Sequence, residues 1–201
     1  MQHAAGGLRH GLICDLLGTA NTYGDLRAKS VQRLASKFNV DTTHGERVGT
    51  VATHLLQQVL GGPLDEQHPE HGRTFRKLHW AARLHEIGSH ISHSDYHKHG
   101  AYILDNADAA GFSLSEMHRL SLLVLGHRGK LRKLEASLTQ DDLVLQLMCL
   151  RLAVILCHAR RAPDLQGMVL ARGEGHTFRL RCRSGWAAAF PQSAHLLQEE
   201  V

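Results

Sequence analysis

The sequence predicts a mainly α-helical protein that ends in a small β-hairpin-containing (α+β) tail. Hydrophobic residues make up 43% of the 201 residues and aromatic residues only 5%, so the core must consist mostly of aliphatic side chains. Through about the first 162 residues, apolar positions recur every three or four residues, which is the period of a helix buried on one face. After Pro163 the apolar positions alternate, which is the period of a strand.

Three amphipathic helices are predicted in the first third of the chain. The stretch "GLRHGLICDLLG" has leucines spaced by four and ends at a glycine. The stretch "DLRAKSVQRLASKFNV" follows, with Asp25 as the predicted N-cap. In "TTHGERVGTVATHLLQQVLGGP" a capping box from Thr43 to Glu46 predicts the start of a helix that ends at Gly61. A polar, histidine-rich linker over residues 65–72 comes next.

Three further helices and a hairpin complete the prediction. "RTFRKLHWAARLHEIG" reads as a helix that closes at Gly88, and "SLSEMHRLSLLVLGHRG" opens with a capping box from Ser113 to Glu116. "TQDDLVLQLMCLRLAVILCHARR" is apolar on nearly every face, which is typical of a central, fully buried helix. "MVLARGEGHTF" and "HTFRLRCRSGW" predict a β-hairpin around residues 173–175.

Cysteine usage and the absence of a targeting segment predict a cytoplasmic protein. The four cysteines form no CxxC pair and no zinc-finger spacing. No signal peptide opens the sequence. The longest apolar run, from Leu143 to Cys157, contains Gln146 and Arg151 and is shorter than the ~20 residues that a membrane span needs. We therefore expect a reducing compartment and no membrane span.

Charge favours an acidic partner without requiring one. The formal net charge is +4 and the pI is near 9.0. A basic surface attracts phosphate chains, nucleotides or nucleic acid, but a solvated basic surface with no partner is equally consistent with these values.

The stretch "RLHEIGSHISHSDYHKHGAYIL", residues 83–104, holds five of the 17 histidines and has the local shape of a metal site. A phosphohydrolase of the HD type combines a His-Asp pair on one helix with a His from an earlier helix and an Asp from a later one. Together they hold a divalent cation that activates water. Here His85 is followed by Glu86, while His99 and His127 stand where additional ligands occur. One hypothesis is therefore an autonomous metal-dependent phosphohydrolase with these four ligands.

Two substitutions argue against a metal in this chain. In "GERVGTVA" Arg47 stands where the first histidine is expected, and His44, one turn away, compensates only in part. In "RLAVIL" Val154 stands where a carboxylate is expected, and valine cannot bind a cation. We therefore expect no metal, and interpret His85 as a core histidine hydrogen-bonded to a nearby carbonyl or carboxylate. In this interpretation the cluster is the remnant of an HD site.

The stretch "AARLHEIGSHISHSDYHKHGAYILDNADAAGFS" resembles the C-terminal helical domain of the exopolyphosphatase and guanosine pentaphosphate phosphatase family. That family carries the string HE-[IV]-G-x-x-[IV]-x-H-S-x-x-H-x-H-x-A-Y-[IL]-L just before "GF". The similarity runs from "GLRHGLICDLLG" to the segment of Trp186, Phe190 and Pro191, so it covers nearly the whole chain. It implies an HD-domain-like helical bundle.

The resemblance also implies a division of the chain into three parts. Residues 1–18 would be a remnant of the last helix of an absent actin-like half. Residues 19–162 would form the HD-like helical domain, and residues 163–201 a small, truncated α/β tail subdomain. The family's catalytic machinery belongs to N-terminal actin-like domains, so no catalytic residue is expected here. Mg²⁺ is implied for the full-length family enzyme, and no cofactor for this chain.

The leading hypothesis is that the chain contributes polyanion binding and dimerisation to such an enzyme. The implied partners are inorganic polyphosphate or guanosine pentaphosphate, a second copy in a homodimer, and the missing actin-like domains. A row of cationic side chains gains affinity for a phosphate chain mainly through counterion release. The candidate binding residues come from two segments of the chain and are His93, His97, Lys98, His99, Arg128, Lys130, Arg132 and Lys133. A third possibility is a purely structural module that packs against the missing half.

Overall fold

The computed structural model describes residues 26–62 and 69–200, and it confirms the mainly α-helical fold with a C-terminal β-hairpin. Two short 3-10 helices, Ile87–His90 and Leu131–Leu134, interrupt the α-helical order. The elements are α1 (residues 26–37), α2 (Thr42–Leu60), α3 (Pro69–Leu84), α4 (Tyr96–Asp105), α5 (Leu114–Gly126), α6 (Asp141–Leu156), β1 (Val169–Arg172), β2 (Phe178–Arg181), α7 (Trp186–Ala189) and α8 (Pro191–Gln198).

Helix α6 lies at the centre of the bundle, as its all-round apolar sequence predicts. It packs against α2, α3, α5 and α8, while α4 packs on α5 and on the first 3-10 helix. Leu143, Leu147 and Leu150 on α6 are all buried. Burying each leucine side chain contributes about 1.5–3 kcal/mol relative to leaving it in water. Among the helices of the described residues, none is both long and apolar enough to cross a membrane.

The helix starts show which local signals decide where a helix begins. At α5 the predicted capping box is confirmed, because Glu116 N donates to Ser113 Oγ at 3.2 Å and Ser113 N donates to the Glu116 carboxylate at 2.9 Å. At α2 the predicted Thr43 box is wrong. Asp41 is the N-cap there and accepts from His44 N at 2.9 Å, so the helix begins before the predicted cap.

Other predicted element boundaries differ from those in the structure or lie outside the described residues. The linker prediction over residues 65–72 is wrong at its end, since α3 already begins at Pro69. Proline is well tolerated in the first turn of a helix, where its missing N–H costs nothing. The predicted helix in residues 8–18 and the Asp25 N-cap lie outside the described residues.

The hairpin is antiparallel and is anchored to the bundle by one glutamine of α2. Val169 pairs with Arg181 and Arg172 with Phe178, which confirms the turn around residues 173–175. The side chain of Gln58 donates to Met168 O at 3.1 Å and accepts from Leu170 N at 2.8 Å. It thereby satisfies backbone groups at the edge of β1, which are otherwise left unpaired in a two-stranded sheet.

A buried arginine joins three parts of the chain at the far end of α6. Arg151 Nη1 donates to Gly126 O at 2.6 Å and to Gly129 O at 3.0 Å. Its Nε donates to the Glu200 carboxylate at 2.8 Å. The end of α5, the loop that follows it and the residues after α8 are therefore held by one guanidinium, which has hydrogen-bond partners on several sides.

Two glycines allow the first 3-10 helix to approach α4 closely. A Cβ atom on Gly88 would lie 2.0 Å from Tyr96 O and 2.4 Å from Gly100 N. A Cβ atom on Gly100 would lie 2.8 Å from Val124 Cγ1. Any side chain at Gly88 must therefore push α4 away from the first 3-10 helix.

We expect Gly88→Ala to lower the free energy of unfolding by roughly 3 kcal/mol, because overpacking against backbone atoms cannot be relieved by a side-chain rotation. Urea unfolding followed by circular dichroism measures this loss. Gly62→Ala is the matched control, since its added Cβ meets no atom of the described residues within 4 Å. Equal effects of the two substitutions would contradict the close approach.

Candidate functional site

Four buried histidines from different parts of the chain form a chain of ring contacts inside the bundle. They are His44 on α2, His85 just after α3, His97 on α4 and His127 just after α5. Ring centroids are 5.4 Å apart for His44 and His85, 5.3 Å for His85 and His127, and 6.3 Å for His97 and His127. We call this set the histidine row.

The two central rings share one hydrogen-bonding pattern. Nδ1 of His85 lies 2.6 Å from Ala82 O, and Nδ1 of His127 lies 2.6 Å from Val124 O. Each Nδ1 therefore carries the proton and donates to a carbonyl three residues earlier, which leaves each Nε2 as an acceptor. This confirms the interpretation of His85 as a core histidine bonded to a carbonyl. His127 Nε2 accepts from the hydroxyl of Tyr96 at 3.3 Å.

Burial keeps both central rings uncharged at neutral pH. Burial lowers the pKa of His85 to about 4, although the Glu86 carboxylate acts in the opposite direction. Burial, reinforced by the neighbouring His85, lowers the pKa of His127 well below its usual value. A charged imidazole without solvent carries a large desolvation penalty, so the neutral form is the one that packs here.

Arginine side chains meet the polar groups at the α2 end of the histidine row. Arg47 Nη1 donates to His44 Nδ1 at 3.2 Å, so the proton of the neutral His44 ring sits on Nε2. Arg160 Nη2 donates to Glu86 Oε1 at 2.7 Å, and its Nη1 donates to Asp41 Oδ2 at 3.0 Å. The guanidinium of Arg160 thus bridges the N-cap of α2 and the acid that follows His85.

Sequence reasoning missed Arg160 and Asp41 as members of this site. The signal for Arg160 was weak, because it lies in the basic run "HARR" after the central helix and its partners are 74 and 119 residues away. The signal for Asp41 was stronger, because an aspartate directly before a helical pattern is a typical N-cap.

One group of possible metal ligands is found within the described ranges: His44, His85 and Glu86, with ligand atoms all within 4.8 Å of one another. Of the four ligands in the metal hypothesis, His85 and Glu86 are therefore together, while His99 and His127 are not in the group. Val154 offers no carboxylate and lines the neighbouring cavity. As arranged here, two of the three ligand side chains are engaged by guanidinium groups.

Two cavities adjoin the histidine row at the loop after α5. The larger, about 740 Å³, is lined by Tyr96, His127, Arg128, Lys130 and Val154, and by Glu199 and Glu200 near the C-terminus. The smaller, about 260 Å³, is lined among others by Lys98, Lys130 and Arg132, with Asp95 as the acidic member. Lys130 therefore lies at both cavities. Cations from the two predicted segments come together around it.

The remaining predicted binding residues have different surroundings. His97 is buried, and it faces Gly129, where an added Cβ would lie 3.2 Å from His97 Nε2. Lys98 is paired with Asp95 at 2.7 Å, and the guanidinium of Arg128 lies 5.1 Å from the centre of the Tyr96 ring.

The last three predicted binding residues are His93, His99 and Lys133. His93 is exposed and His99 is half-buried. The side chain of Lys133 is not among those that the structure describes.

Comparison with known proteins gives a consistent family match. Residues 26–201 match the family model described as Ppx/GppA phosphatase, domain III. The chain is 33% identical over 204 residues to a guanosine-5'-triphosphate,3'-diphosphate pyrophosphatase of Vibrio campbellii. It is 34% identical over 205 residues to the proteins of that name in Vibrio parahaemolyticus and Aeromonas hydrophila. These matches cover 100% of this chain but 39–40% of each relative, so the chain spans about two fifths of their length.

Burial of neutral histidines makes stability depend on pH in a defined direction. The unfolded chain takes up protons on His85 and His127 below their ordinary pKa of about 6.5, and the folded chain does not. We therefore expect the free energy of unfolding to fall as the pH drops from about 6.5 toward 4, by up to about 1.4 kcal/mol per pH unit for each histidine. Urea unfolding at a series of pH values measures the slope.

His127→Asn retains a side-chain donor near Val124 O and removes one titrating ring. We therefore expect it to reduce the slope of the free energy of unfolding against pH by the contribution of one histidine, up to about 1.4 kcal/mol per pH unit. His118→Asn is the control, because His118 is largely exposed and lies outside the histidine row. An unchanged slope in His127→Asn would show that the ring is protonated in the folded state.

Proposed function

Because the chain belongs to the Ppx/GppA phosphatase family, we propose that it serves a family phosphatase as a non-catalytic region that binds a polyanionic substrate. The substrate class is a phosphoanhydride chain, either inorganic polyphosphate or guanosine pentaphosphate. The names of the relatives support the guanosine 5'-triphosphate 3'-diphosphate kind. Bond cleavage is assigned to the actin-like part of the family enzyme, and Mg²⁺ to the full-length enzyme.

The observation that carries this proposal is the convergence of cations around Lys130. Lys98 from α4 and Arg132 from the second 3-10 helix line one cavity with Lys130, and Arg128 lines the other. We call these four cations, Lys98, Arg128, Lys130 and Arg132, the basic edge. A phosphate chain that lies along the basic edge can contact several cations at once and release their counterions. The Arg128 guanidinium is held over the Tyr96 ring, which positions the charge without neutralising it.

The metal-dependent phosphohydrolase is less well supported by the same geometry. A catalytic cation needs ligands that converge on it and an open position for water. Here Glu86 pairs with Arg160, His44 accepts from Arg47, and α6 presents Val154 rather than a carboxylate. The basic edge also has no role in that alternative, whereas it is the binding surface in the proposal.

We further propose that two copies of the chain associate through the face formed by α1 and α4. A groove of about 540 Å³ there is lined by the apolar side chains of Phe38, Ile91, Tyr102 and Ile103, and also by Arg33, Lys37 and Asp108. Ile91 is 55% exposed and Tyr102 is 69% exposed. Large apolar side chains exposed together around a groove are typical of an interaction surface, and a second copy is the partner implied by the family.

A cytoplasmic location is also part of the proposal. Cys149 and Cys157 are free and buried, and burial raises the pKa of each thiol to about 12. Such thiols are unreactive core groups, which suits a reducing compartment.

For the polyanion site, we expect Lys130→Gln/Arg132→Gln to weaken binding of polyphosphate on the order of tenfold in low salt. The slope of log K against log salt should also become shallower by about 2, one for each cation removed. Titration calorimetry between about 50 and 200 mM salt gives both values. Guanosine 5'-triphosphate 3'-diphosphate is titrated in parallel to compare the two substrate kinds.

The matched control is Arg179→Gln/Arg181→Gln, which removes the same charge from the exposed side of β2. If both double variants weaken binding equally, the affinity comes from net charge alone and the proposed edge is not a site.

For the interface, we expect Tyr102→Glu to shift the chain from dimer to monomer, because it replaces the most exposed aromatic side chain of the groove with a charge that must lose its water on association. Sedimentation velocity over a range of protein concentrations measures the shift. Leu114→Glu is the control, since Leu114 is 87% exposed and does not line the groove. A wild-type chain that remains monomeric at high concentration would contradict the proposed face.

A further inference from the structure

We propose that His44, His85 and Glu86 form a latent site for a divalent transition metal, by which we mean a ligand set whose members are occupied by Arg47 and Arg160. Two imidazoles and one carboxylate are the donors that Zn²⁺, Ni²⁺ and Co²⁺ prefer. Their ligand atoms lie within 4.8 Å of one another. A small inward movement brings such atoms to ligand distance from a shared cation.

The central ligand is already oriented for a metal. His85 donates its Nδ1 proton to Ala82 O at 2.6 Å, so its Nε2 lone pair is available. In protein metal sites a ligating histidine usually donates its other ring N–H to a carbonyl or carboxylate, which fixes the ring and its tautomer. The bond to Ala82 supplies that support, and it is buried inside the bundle.

Two guanidinium groups compete with a cation for the other two ligands. Arg160 holds the Glu86 carboxylate at 2.7 Å, and Arg47 occupies the Nδ1 lone pair of His44 at 3.2 Å. Guanidinium is permanently charged and cannot be released by deprotonation at physiological pH. The arginines therefore provide the positive charge that a metal ion would bring, and a cation gains the Glu86 carboxylate only as Arg160 leaves it.

Arg160 is the arginine that leaves more easily. Its side chain is 52% exposed, and it can stay close to Asp41 after releasing Glu86. Exposed ion pairs contribute about 0–1 kcal/mol, so the structure loses little when this one opens. The carboxylate of Glu86 then becomes free without any change in the core, while Arg47 still donates to His44 Nδ1.

We expect the untagged wild-type chain to bind Zn²⁺ weakly at this site and Arg160→Met to bind it on the order of tenfold more tightly, because Glu86 is then free and Arg47 is the remaining competitor. Competition with a zinc-binding dye measures the affinity. Co²⁺ is used as a second probe, since its visible absorption reports nitrogen and oxygen ligation directly. Arg161→Met is the matched control, because it removes the same charge from the exposed neighbour and leaves Glu86 paired.

Two double variants test whether the added Zn²⁺ affinity of Arg160→Met depends on the proposed ligands. Arg160→Met/Glu86→Gln and Arg160→Met/His44→Ala should lose the added Zn²⁺ affinity and the Co²⁺ absorption, while circular dichroism verifies that each is folded. The proposal fails if Arg160→Met binds no more tightly than Arg161→Met. It also fails if the gain survives in Arg160→Met/Glu86→Gln, because the metal would then be held by histidines elsewhere. Polyphosphate binding is not involved in either readout, so this result is independent of the proposed function.

Discussion

The structure depends on keeping a row of histidines uncharged at the centre of a helical bundle. Imidazole rings pack there as ordinary core groups only while they are neutral, because a buried charge without a partner is strongly unfavourable. The backbone meets this condition locally. The helical turns before His85 and His127 each leave a carbonyl within 2.6 Å of the ring, and these carbonyls fix the tautomer. The close packing of Gly88 on α4 brings those turns together.

At both ends of the histidine row, arginine side chains pair with the polar groups that the backbone does not satisfy. Glu86 is the acid next to His85, and Arg160 neutralises it while also holding the α2 N-cap through Asp41. At the other end Arg151 satisfies carbonyls left free where α5 ends and pairs with Glu200. An arginine suits both tasks because its planar group donates several hydrogen bonds and stays charged. Polar backbone and acidic side chains at the helix ends thus have partners without any metal.

The features that sequence predicted well are those set by neighbours in the chain. Periodicity predicted α1, α2, α3, α5, α6 and the hairpin but not α4, α7 or α8. The Ser113 capping box depends on residues three apart. The features that it missed are set by distant contacts. Arg160 finds Asp41 and Glu86 only because the bundle brings α2, α3 and α6 together. His97 belongs to a segment rich in polar residues, yet it is buried because α4 packs on α5.

Tyr96 links the uncharged interior to the basic edge, and this explains how one bundle can contain both. Its hydroxyl donates to His127 Nε2, while its ring lies beneath the Arg128 guanidinium. Burial raises the pKa of Tyr96, so the side chain remains a hydrogen-bond donor and adds no negative charge beside the row. A phosphate chain at the edge would therefore meet a cation fixed by an aromatic ring, on a scaffold whose interior stays neutral.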